Sequence, residues 1–319
     1  MTLPKTADAA RGKWKGILLK LGVDAKALTG HHCPCPMCGG TDRFRFDNKE
    51  GKGTYICNQC GSGDGLEFVK AYRGCDFKAA CDVVDDLVGL VRKDPQRASG
   101  GAEIGPERRS EMLRDLWRQS ALTKSGDIVH KYLSTRGVDD DQYADGLRTA
   151  MNCYYSSGLS LPAMIGVVVD VAGKPINLHR TFLAPDGSGK ADVDAPRKMM
   201  PGSGELIDGA CIRLGPIQEC IGIAEGIETA LAAMHMFNMP VWSAINSNIL
   251  QKWIAPEGVK HVVIYGDNDV KFGGQAAAYG LAHKLAVKGI TAEVCIPTEA
   301  GTDWADVAQK NSRCAQKTC

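Results

Sequence analysis

The sequence predicts a two-part α/β protein, with a small cysteine-rich domain near the amino end and a larger domain built on a parallel sheet. Two pairs of cysteines in C-x-x-C spacing lie within the first sixty residues. The last hundred residues alternate short apolar strand patterns with helical patterns. Strands that alternate with helices form parallel sheets with helices on their faces. Because the chemistry of such sheets collects beyond the carboxyl ends of the strands, residues that follow each strand are the first candidates for a site.

Length and composition exclude several classes of protein. The chain has 319 residues, a length that suits about two domains. Its apolar runs fall short of the roughly 18 residues needed to span a bilayer, and MTLPKTADAARGKWKG at the start lacks the apolar part of a secretory signal. The net charge of +1 does not by itself favour any kind of binding partner. Residues 1–60 carry ten Lys and Arg against five Asp and Glu, which suits either a polyanion contact or a solvated surface.

Changes of pattern divide the chain into four segments. Residues 1–92 hold the cysteine pairs and then two helical patterns, GLEFVKAYRG and DFKAACDVVDDLVGLV. Residues 93–106, KDPQRASGGAEIGP, lack apolar periodicity and predict a linker. Residues 107–215 begin with the amphipathic pattern ERRSEMLRDLWRQSALTK and continue into a β-rich stretch. Residues 216–319 carry the alternating strands and helices.

The two C-x-x-C pairs predict a structural zinc site. Without a secretory signal the thirteen cysteines are expected to be reduced, so a clustered set indicates metal ligands rather than disulfides. The 18 residues between the pairs suit a four-cysteine zinc ribbon, a closed tetrahedral site without an open position for substrate. His31, His32 and Cys33 lie next to the first pair and could replace a ligand, although a C-x-C pair fits poorly and favours Cys33 as a spare thiol. The predicted ligands are Cys35, Cys38, Cys57 and Cys60.

Inside the predicted ribbon, the segment DRFRFD has the alternation of a strand. Arg43 and Arg45 share one face, and Phe44 and Phe46 share the other. Basic residues beside aromatic ones suit single-stranded nucleic acid, through phosphate contact and base stacking. The alternative is that the phenylalanines pack the small core and the arginines are solvated. The pattern favours nucleic-acid contact for the arginines and leaves both options open for the phenylalanines.

Acidic residues follow three of the predicted C-terminal strands. Glu225 ends ECIGIAE, Asp267 and Asp269 follow HVVIYG, and Asp303 and Asp306 follow TAEVCIP. Parallel strands end at one edge of a sheet, so these carboxylates can converge. Oxygen ligands suit Mg²⁺, with Mn²⁺ as an alternative, and leave the ion free to coordinate phosphates. Two such ions can serve a nucleotidyl transfer.

A single acidic residue after a strand is more often a helix N-cap than a metal ligand. That explanation suits Glu228, Asp303 and Asp306. It suits poorly a glutamate and a D-x-D motif at two strand ends together. The acidic residues at the ends of the first two strands are therefore the stronger metal-site candidates.

Basic residues between the linker and the last hundred residues are candidates for binding phosphate: Arg180, Lys190, Arg197 and Lys198. Arginine can bind phosphate through two hydrogen bonds, and lysine acts as a point charge. For any single one of them, an ordinary surface role is the more common explanation. The nearby string APDGSGKA, 184–191, has alanine where a phosphate loop needs its first glycine and its hydroxyl. We therefore expect a turn there, and no ATP-driven motor.

Several of these motifs together resemble a known family. EGIETALAA, VVIYGDND and GTDWADV, in this order on a βαβ scaffold, resemble the Toprim domain. CPMCGGTDRFRFD followed by CNQCGSGDG is similar to the zinc-binding domain of phage and plasmid primases, and RKMMPGSGELIDGACIRLG resembles the segment before Toprim in those proteins. The resemblance implies a zinc ribbon followed by a Toprim-type parallel-sheet core.

The resemblance also implies roles for individual residues. Glu225 would assist proton transfer or bind metal, and Asp267 and Asp269 would be the metal-binding D-x-D. Asp303 would be the later acidic residue, and Lys198 the best candidate among the basic residues. The implied function is a DNA-dependent RNA primase with structural Zn²⁺ and catalytic Mg²⁺. It would act in the cytoplasm of a bacterial host on single-stranded DNA and ribonucleoside triphosphates, with a separate helicase as partner.

Two other functions are compatible with the same motifs. One is a non-catalytic scaffold for replication or recombination that binds single-stranded DNA, although three converging carboxylates argue against it. The other is a Toprim nuclease, which would use the same metal ligands for hydrolysis. The predicted ribbon and the segment before the last hundred residues argue against the nuclease, because they resemble parts that handle a template.

Overall fold

The computed structural model describes residues 6–91, 105–140, 143–201 and 208–317, with side chains described as far as residue 312. The chain divides into two compact units, residues 1–103 and 104–319. Nearly all of the predicted linker lies outside the described residues. Among the helices in the described ranges, we find none that combines the length and the apolar character needed to cross a bilayer.

The first unit contains a four-stranded antiparallel sheet in which the strands pair in chain order. Two helices precede the sheet and two follow it, and the latter two begin at Asp64 and Asp76, whose carboxylates accept backbone N–H groups of the first turn. Both helical patterns predicted for this segment are confirmed. The elements are α1 (Thr6–Ala10), α2 (Trp14–Lys20), β1 (Cys33–Cys35), β2 (Gly39–Phe46), β3 (Tyr55–Cys57), β4 (Gly61–Gly63), α3 (Gly65–Arg73) and α4 (Phe77–Val88).

An aromatic cluster forms the core of this unit. Phe44 packs against Tyr55 and Phe68, with ring centroids 5.8 Å away in both contacts. The buried Trp14 lies against the start of α3, where a Cβ atom on Gly65 would come within 2.1 Å of the indole ring. Only glycine therefore permits this close approach, which joins α2 to α3.

The second unit is built on one mixed sheet of ten strands with helices packed against it. The order along the sheet is β14-β13-β11-β12-β10-β7-β6-β5, with β8 paired to β7 and β9 paired to β8. Its strands are β5 (Ala121–Leu122), β6 (Leu147–Ser156), β7 (Leu159–Val169), β8 (Pro175–Phe182), β9 (Arg197–Met199), β10 (Cys211–Ile212), β11 (Cys220–Ala224), β12 (Val241–Ser243), β13 (His261–Tyr265) and β14 (Thr291–Cys295). Its helices are α5 (Pro106–Gln119), α6 (Ile128–Thr135), α7 (Ile227–Phe237), α8 (Ser247–Gln251), α9 (Gly273–Val287) and α10 (Trp304–Lys317).

The α/β prediction is confirmed, and the structure extends it. Strand β11 lies parallel to β12 and β13, and β13 lies parallel to β14, as the alternation of strands and helices predicts. The strands from residues 107–215 are antiparallel and continue the same sheet through β10, which pairs with β12 on one side and β7 on the other. The parallel part is therefore one half of a larger mixed sheet.

Candidate functional site

The four cysteines of the two C-x-x-C pairs converge as predicted. Each pair lies in a turn of the sheet, one between β1 and β2 and the other between β3 and β4. The four Sγ atoms all lie within 4.8 Å of one another, with Cys38 and Cys57 at 3.7 Å and Cys35 and Cys60 at 3.9 Å. Tetrahedral zinc with Zn–S bonds of about 2.3 Å separates its sulfur ligands by about 3.8 Å. The sulfur positions therefore fit structural Zn²⁺.

The neighbouring residues that could have replaced a ligand lie outside this group. Cys33 pairs with Phe44 across β1 and β2, and burial raises the pKa of its thiol. The Nδ1 atom of His32 is 2.9 Å from the carbonyl oxygen of Asp42. Of the ligand sets that the sequence leaves open, the structure supports the four cysteines.

The strand with alternating arginines and phenylalanines is β2, and its two faces differ as expected. Phe44 and Phe46 are buried in the core of the first unit, so neither ring is available for base stacking. Arg43 donates a hydrogen bond to Gln59, and Arg45 forms an ion pair of 2.5 Å with Asp47. Both arginines keep partial exposure, and their contact with nucleic acid stays a prediction.

The acidic residues of the second unit gather at the carboxyl edge of the parallel strands. Glu225 directly follows β11, and Asp267 and Asp269 lie in the loop after β13. The side chain of Asn268 donates to the carbonyl of Pro297 at 2.7 Å, and its backbone N–H donates to that of Thr302 at 3.0 Å. These bonds fasten the loop after β13 beside the loop before α10, which carries Asp303.

Helix α9 approaches this loop closely through a glycine. A Cβ atom at Gly274 would lie 2.5 Å from the carbonyl oxygen of Asp267, too close for any other residue. The Gly274 N–H group also donates a hydrogen bond of 2.9 Å to Oδ2 of Asp269. The start of the helix therefore fixes the backbone of one aspartate and the side chain of the other.

Burial and the repulsion between carboxylates both raise pKa values at this edge. Burial raises the pKa of Asp267 well above its usual value, and the nearby carboxylates of Glu225, Asp303 and Asp269 raise it further. Burial also raises the pKa of Asp303. Oδ1 of Asp267 is buried and has no hydrogen-bond partner among the described residues. A divalent cation would supply the charge and the partner that this oxygen lacks, so the donor set fits Mg²⁺.

The acidic group is more open than the cysteine group. Among the described residues, only the four cysteines bring three or more ligand atoms within 4.8 Å of one another. The carboxylates therefore influence one another's ionisation without forming a closed cage. Mg²⁺ usually keeps several water ligands and is held by one or two carboxylates, which suits this looser arrangement.

Asp303 and Asp306 form a reciprocal cap at the start of α10, which agrees with the N-cap explanation. Oδ1 of Asp303 accepts the Asp306 N–H at 2.8 Å, and Oδ2 of Asp306 accepts the Asp303 N–H at 3.2 Å. Arg136, at the end of α6, places Nη2 3.0 Å from Asp306 and 3.7 Å from Asp303. Burial disfavours the charge on Arg136, but the two aspartates raise its pKa above the usual value. Asp303 is thus both a cap and a member of the acidic group.

The N-cap explanation is wrong for Glu228. The N-cap of α7 is Gly226, and Glu228 is only 6% exposed inside the second unit. Its carboxylate accepts a hydrogen bond of 2.6 Å from the Tyr132 hydroxyl and lies 3.0 Å from Nζ of Lys190. Burial alone would raise its pKa, but Lys190 and Arg197 lower it below the usual value. Glu228 therefore joins α7 to α6 and to the turn that carries Lys190.

Two of the residues predicted to bind phosphate, Arg180 and Lys198, differ from each other in their surroundings. Arg180 is 7% exposed and donates to the carbonyls of Tyr154 and Met199 at 3.0 and 3.1 Å, so its guanidinium links β6, β8 and β9 inside the sheet. Its burial and its bonds to two backbone carbonyls argue against the predicted role of Arg180 in binding phosphate. Lys198 is partly exposed, with Nζ 3.5 Å from the centre of the Tyr155 ring, and stays a candidate.

The segment that lacks the phosphate-loop signature is a turn, as expected. Oδ1 of Asp186 accepts hydrogen bonds from the backbone and the hydroxyl of Ser188 at 3.0 and 2.7 Å. A polar cleft of about 590 Å³ lies beside this turn and is lined in part by Arg136 and Lys190. Both cations are paired with carboxylates, so the cleft offers little free positive charge for an anion.

Three residues with a clear electrostatic role have no local signature in the sequence. Tyr132 contacts a partner 96 positions away, and Arg136 contacts one 170 positions away. In the sequence the first resembles an ordinary core aromatic and the second an ordinary basic residue at a helix end. Glu228 resembles a residue of the first helical turn. Only their packing in three dimensions identifies them.

Family comparisons match three parts of the chain. Residues 30–66 match the zinc-binding domain of primase-helicase, and residues 220–313 match the Toprim domain. Residues 107–210 match a domain of unknown function. The resemblance to a primase with a zinc ribbon and a Toprim domain is therefore confirmed.

Solved structures give more distant likenesses. The zinc-binding and RNA polymerase domains of the Aquifex aeolicus primase are 13% identical, with a TM-score of 0.38 over 99% of this chain and 86% of that one. The primase fragment of the bacteriophage T7 primase-helicase is 13% identical, with a TM-score of 0.40 over 90% and 98%. A DnaG primase catalytic domain bound to single-stranded DNA is 12% identical, with a TM-score of 0.39 over 66% and 81%. Because these scores lie below 0.5, the resemblance to primases rests on the sequence-family matches and not on these structures.

Removal of one zinc ligand tests the metal site. We expect Cys57→Ser to lose bound zinc and to unfold the first unit at a lower temperature, because metal binding and folding are coupled in such sites. Cys33→Ser is the matched control, since this thiol lies outside the four-sulfur group. Atomic absorption and thermal unfolding provide the readouts. Equal zinc content in the two variants would contradict the assignment.

Neutralisation of Glu228 tests the buried ion pair. We expect Glu228→Gln to lower the free energy of unfolding by about 3 kcal/mol near neutral pH, because it leaves Lys190 without its carboxylate. Glu219→Gln, which removes an exposed pair with Lys260, should cost less than about 1 kcal/mol.

The loss in Glu228→Gln should also depend on pH in one direction. Because the folded pKa of Glu228 is lowered, its stabilisation is present above the ordinary glutamate pKa and declines as the pH falls below it. Denaturant unfolding of both proteins at a series of pH values measures the difference. A gap between them that widens towards acidic pH would contradict the ion pair.

Removal of the charge on Asp267 tests the repulsion at the acidic edge. In EDTA we expect Asp267→Asn to raise the free energy of unfolding, because it removes a buried carboxylate that neighbouring carboxylates repel. Added Mg²⁺ should stabilise the wild type more than the variant. Asp192→Asn, at an exposed position, serves as the control. If Asp267→Asn were destabilising in EDTA, the carboxylate would have a structural role instead.

Proposed function

We propose that this chain, which joins a primase-type zinc-binding domain to a Toprim domain, is a DNA primase that makes short RNA primers on single-stranded DNA. The observation that carries the proposal is the group of carboxylates at the carboxyl edge of β11 and β13, within the segment that matches Toprim. Such a group fits metal-assisted nucleotidyl transfer. A template-directed enzyme also needs a part that binds the template, and the segment that matches the zinc-binding domain would be that part.

Asp267 and Asp269 are the residues that would hold Mg²⁺. The bound ion would lower the pKa of the attacking 3′-hydroxyl and neutralise charge that develops on the phosphates. Glu225, which follows the neighbouring strand β11, would receive the hydroxyl proton. Asp303 would complete the acidic group, with Arg136 holding its carboxylate in position.

Basic residues of both units would contact the substrates. Arg197 lies close enough to Asp267 to lower the pKa of that carboxyl, and its positive charge would bind the triphosphate. Lys198 follows it in the same strand. In the first unit, Arg43 and Arg45 would contact the phosphates of the single-stranded template, while the zinc site keeps their strand folded. A separate helicase would expose that template.

A primer-synthesis assay tests the proposal. The full chain is incubated with single-stranded DNA of mixed sequence, labelled ribonucleotides and Mg²⁺. We expect short labelled oligoribonucleotides, reduced by about 100-fold or more in Asp267→Ala, because loss of a group that stabilises developing charge costs about that much. Cys57→Ser should reduce synthesis or template selectivity, whereas Asp192→Asn should not.

Each other outcome of this assay indicates a different function. Shortened template without RNA product would indicate a nuclease that uses the same carboxylates for hydrolysis. Intact template with no product would indicate a binding protein without catalytic activity. If Asp267→Ala still made primers, the assignment of Asp267 to the catalytic site would be wrong, although the protein would still be a primase.

A further inference from the structure

Phe272 combines two properties that are unfavourable for stability. Its backbone lies in the left-handed region, with φ 59° and ψ 20°, where residues with a large side chain are rare. Its side chain is 70% exposed, although it is apolar. Glycine would adopt this conformation without strain, and the chain has glycine at the next two positions. The fold alone therefore gives no reason for phenylalanine here.

The contacts that impose this conformation are those that position the metal-binding loop. The Phe272 N–H donates to the carbonyl of Asp269 at 2.9 Å, and the side chain of Gln275 donates to the same carbonyl at 3.0 Å. Gln275 also donates to the side chain of Asn268 at 2.7 Å. A strained residue persists where the surrounding structure determines its conformation, and such residues cluster at functional sites. Phe272 is thus fixed one turn after Asp269.

The immediate surroundings of Phe272 suit a nucleic-acid component. Val270 is 73% exposed, and Lys271, between the two apolar residues, is also exposed. Among the described residues, the aromatic contacts of the second unit do not include the Phe272 ring. An exposed aromatic ring beside a basic residue is the combination on which nucleobases stack in single-stranded nucleic-acid sites.

We propose that Phe272 is a stacking platform for a nucleobase bound next to Asp267 and Asp269. The inference rests on the proposed function, in which the acidic edge handles nucleotide phosphates. The base belongs either to the single-stranded template or to a ribonucleoside triphosphate. Both sources present the same planar face, and a ligand without a base does not.

Ligands with and without a base distinguish stacking from other roles. Affinity of the full chain is measured with Mg²⁺ for single-stranded DNA and an abasic oligonucleotide of equal length, by fluorescence anisotropy. It is also measured for ATP and inorganic tripolyphosphate, by titration calorimetry. The variants are Phe272→Asn, which removes the ring, and Phe272→Tyr, which keeps it. Tyr279→Ala is the matched control, because Tyr279 is an exposed aromatic residue on α9, the helix that begins directly after Phe272.

We expect Phe272→Asn to weaken binding of one base-containing ligand by about 5- to 100-fold, the scale of one lost stacking contact. Binding of the abasic oligonucleotide and of tripolyphosphate should change less than about twofold, because phosphate contacts are kept. The affected ligand, DNA or ATP, identifies the source of the base. Phe272→Tyr and Tyr279→Ala should bind like the wild type. Thermal unfolding of Phe272→Asn should shift upward, because asparagine tolerates the left-handed conformation.

Two results would overturn the proposal. In one, Phe272→Asn binds all four ligands like the wild type. In the other, it weakens ligands with and without a base equally, which would indicate a general effect on the loop. Binding is measured without turnover, so the two proposals fail separately. The wild type could make no primers while Phe272→Asn still weakens binding of a base-containing ligand. That result would reject the primase and retain the stacking platform.

Discussion

Asp267 lies among Glu225, Asp269 and Asp303 with one buried oxygen that has no hydrogen-bond partner in the described structure. Negative charge that is buried beside other carboxylates requires compensation. Some of the compensation comes from the protein, through Arg197 near Asp267. The remainder would come from a divalent cation, so charge that is unfavourable in the free protein would become affinity for a metal, and the metal could in turn coordinate phosphate.

Charge compensation also links the segments 107–215 and 216–319, which already share one sheet and one core. Arg136 belongs to the first segment but pairs with the aspartates that begin α10 in the second. Tyr132 and Lys190 likewise come from the first segment and enclose Glu228 of the second. The parallel strands alone could place the acidic residues, but they would leave the buried charges uncompensated. Segment 107–215 supplies the cations, Arg136 from the end of α6 and Lys190 from the turn after β8.

The sequence predicts those parts of the structure that depend on short-range patterns. The alternation of strands and helices, the spacing of the cysteine pairs and the acidic residues after β11 and β13 are all of this kind. The burial of Arg180 could not be predicted from the sequence. Its guanidinium binds two backbone carbonyls on strands that become neighbours only in the sheet. Glu228 and Arg136 are similar cases. The left-handed backbone at Phe272 carries no sequence signal, since the pattern at that position favours no turn.

Strand β10 contributes only Cys211 and Ile212 to a ten-stranded sheet, yet it joins the antiparallel half to the parallel half. Strands β5 to β9 all pair within residues 121–199, so that half of the sheet has its partners before the later strands leave the ribosome. Local pairing is fast, and domains are completed in the order of synthesis. We therefore expect the antiparallel strands to pair first and the parallel strands to assemble on them later, beginning at β10.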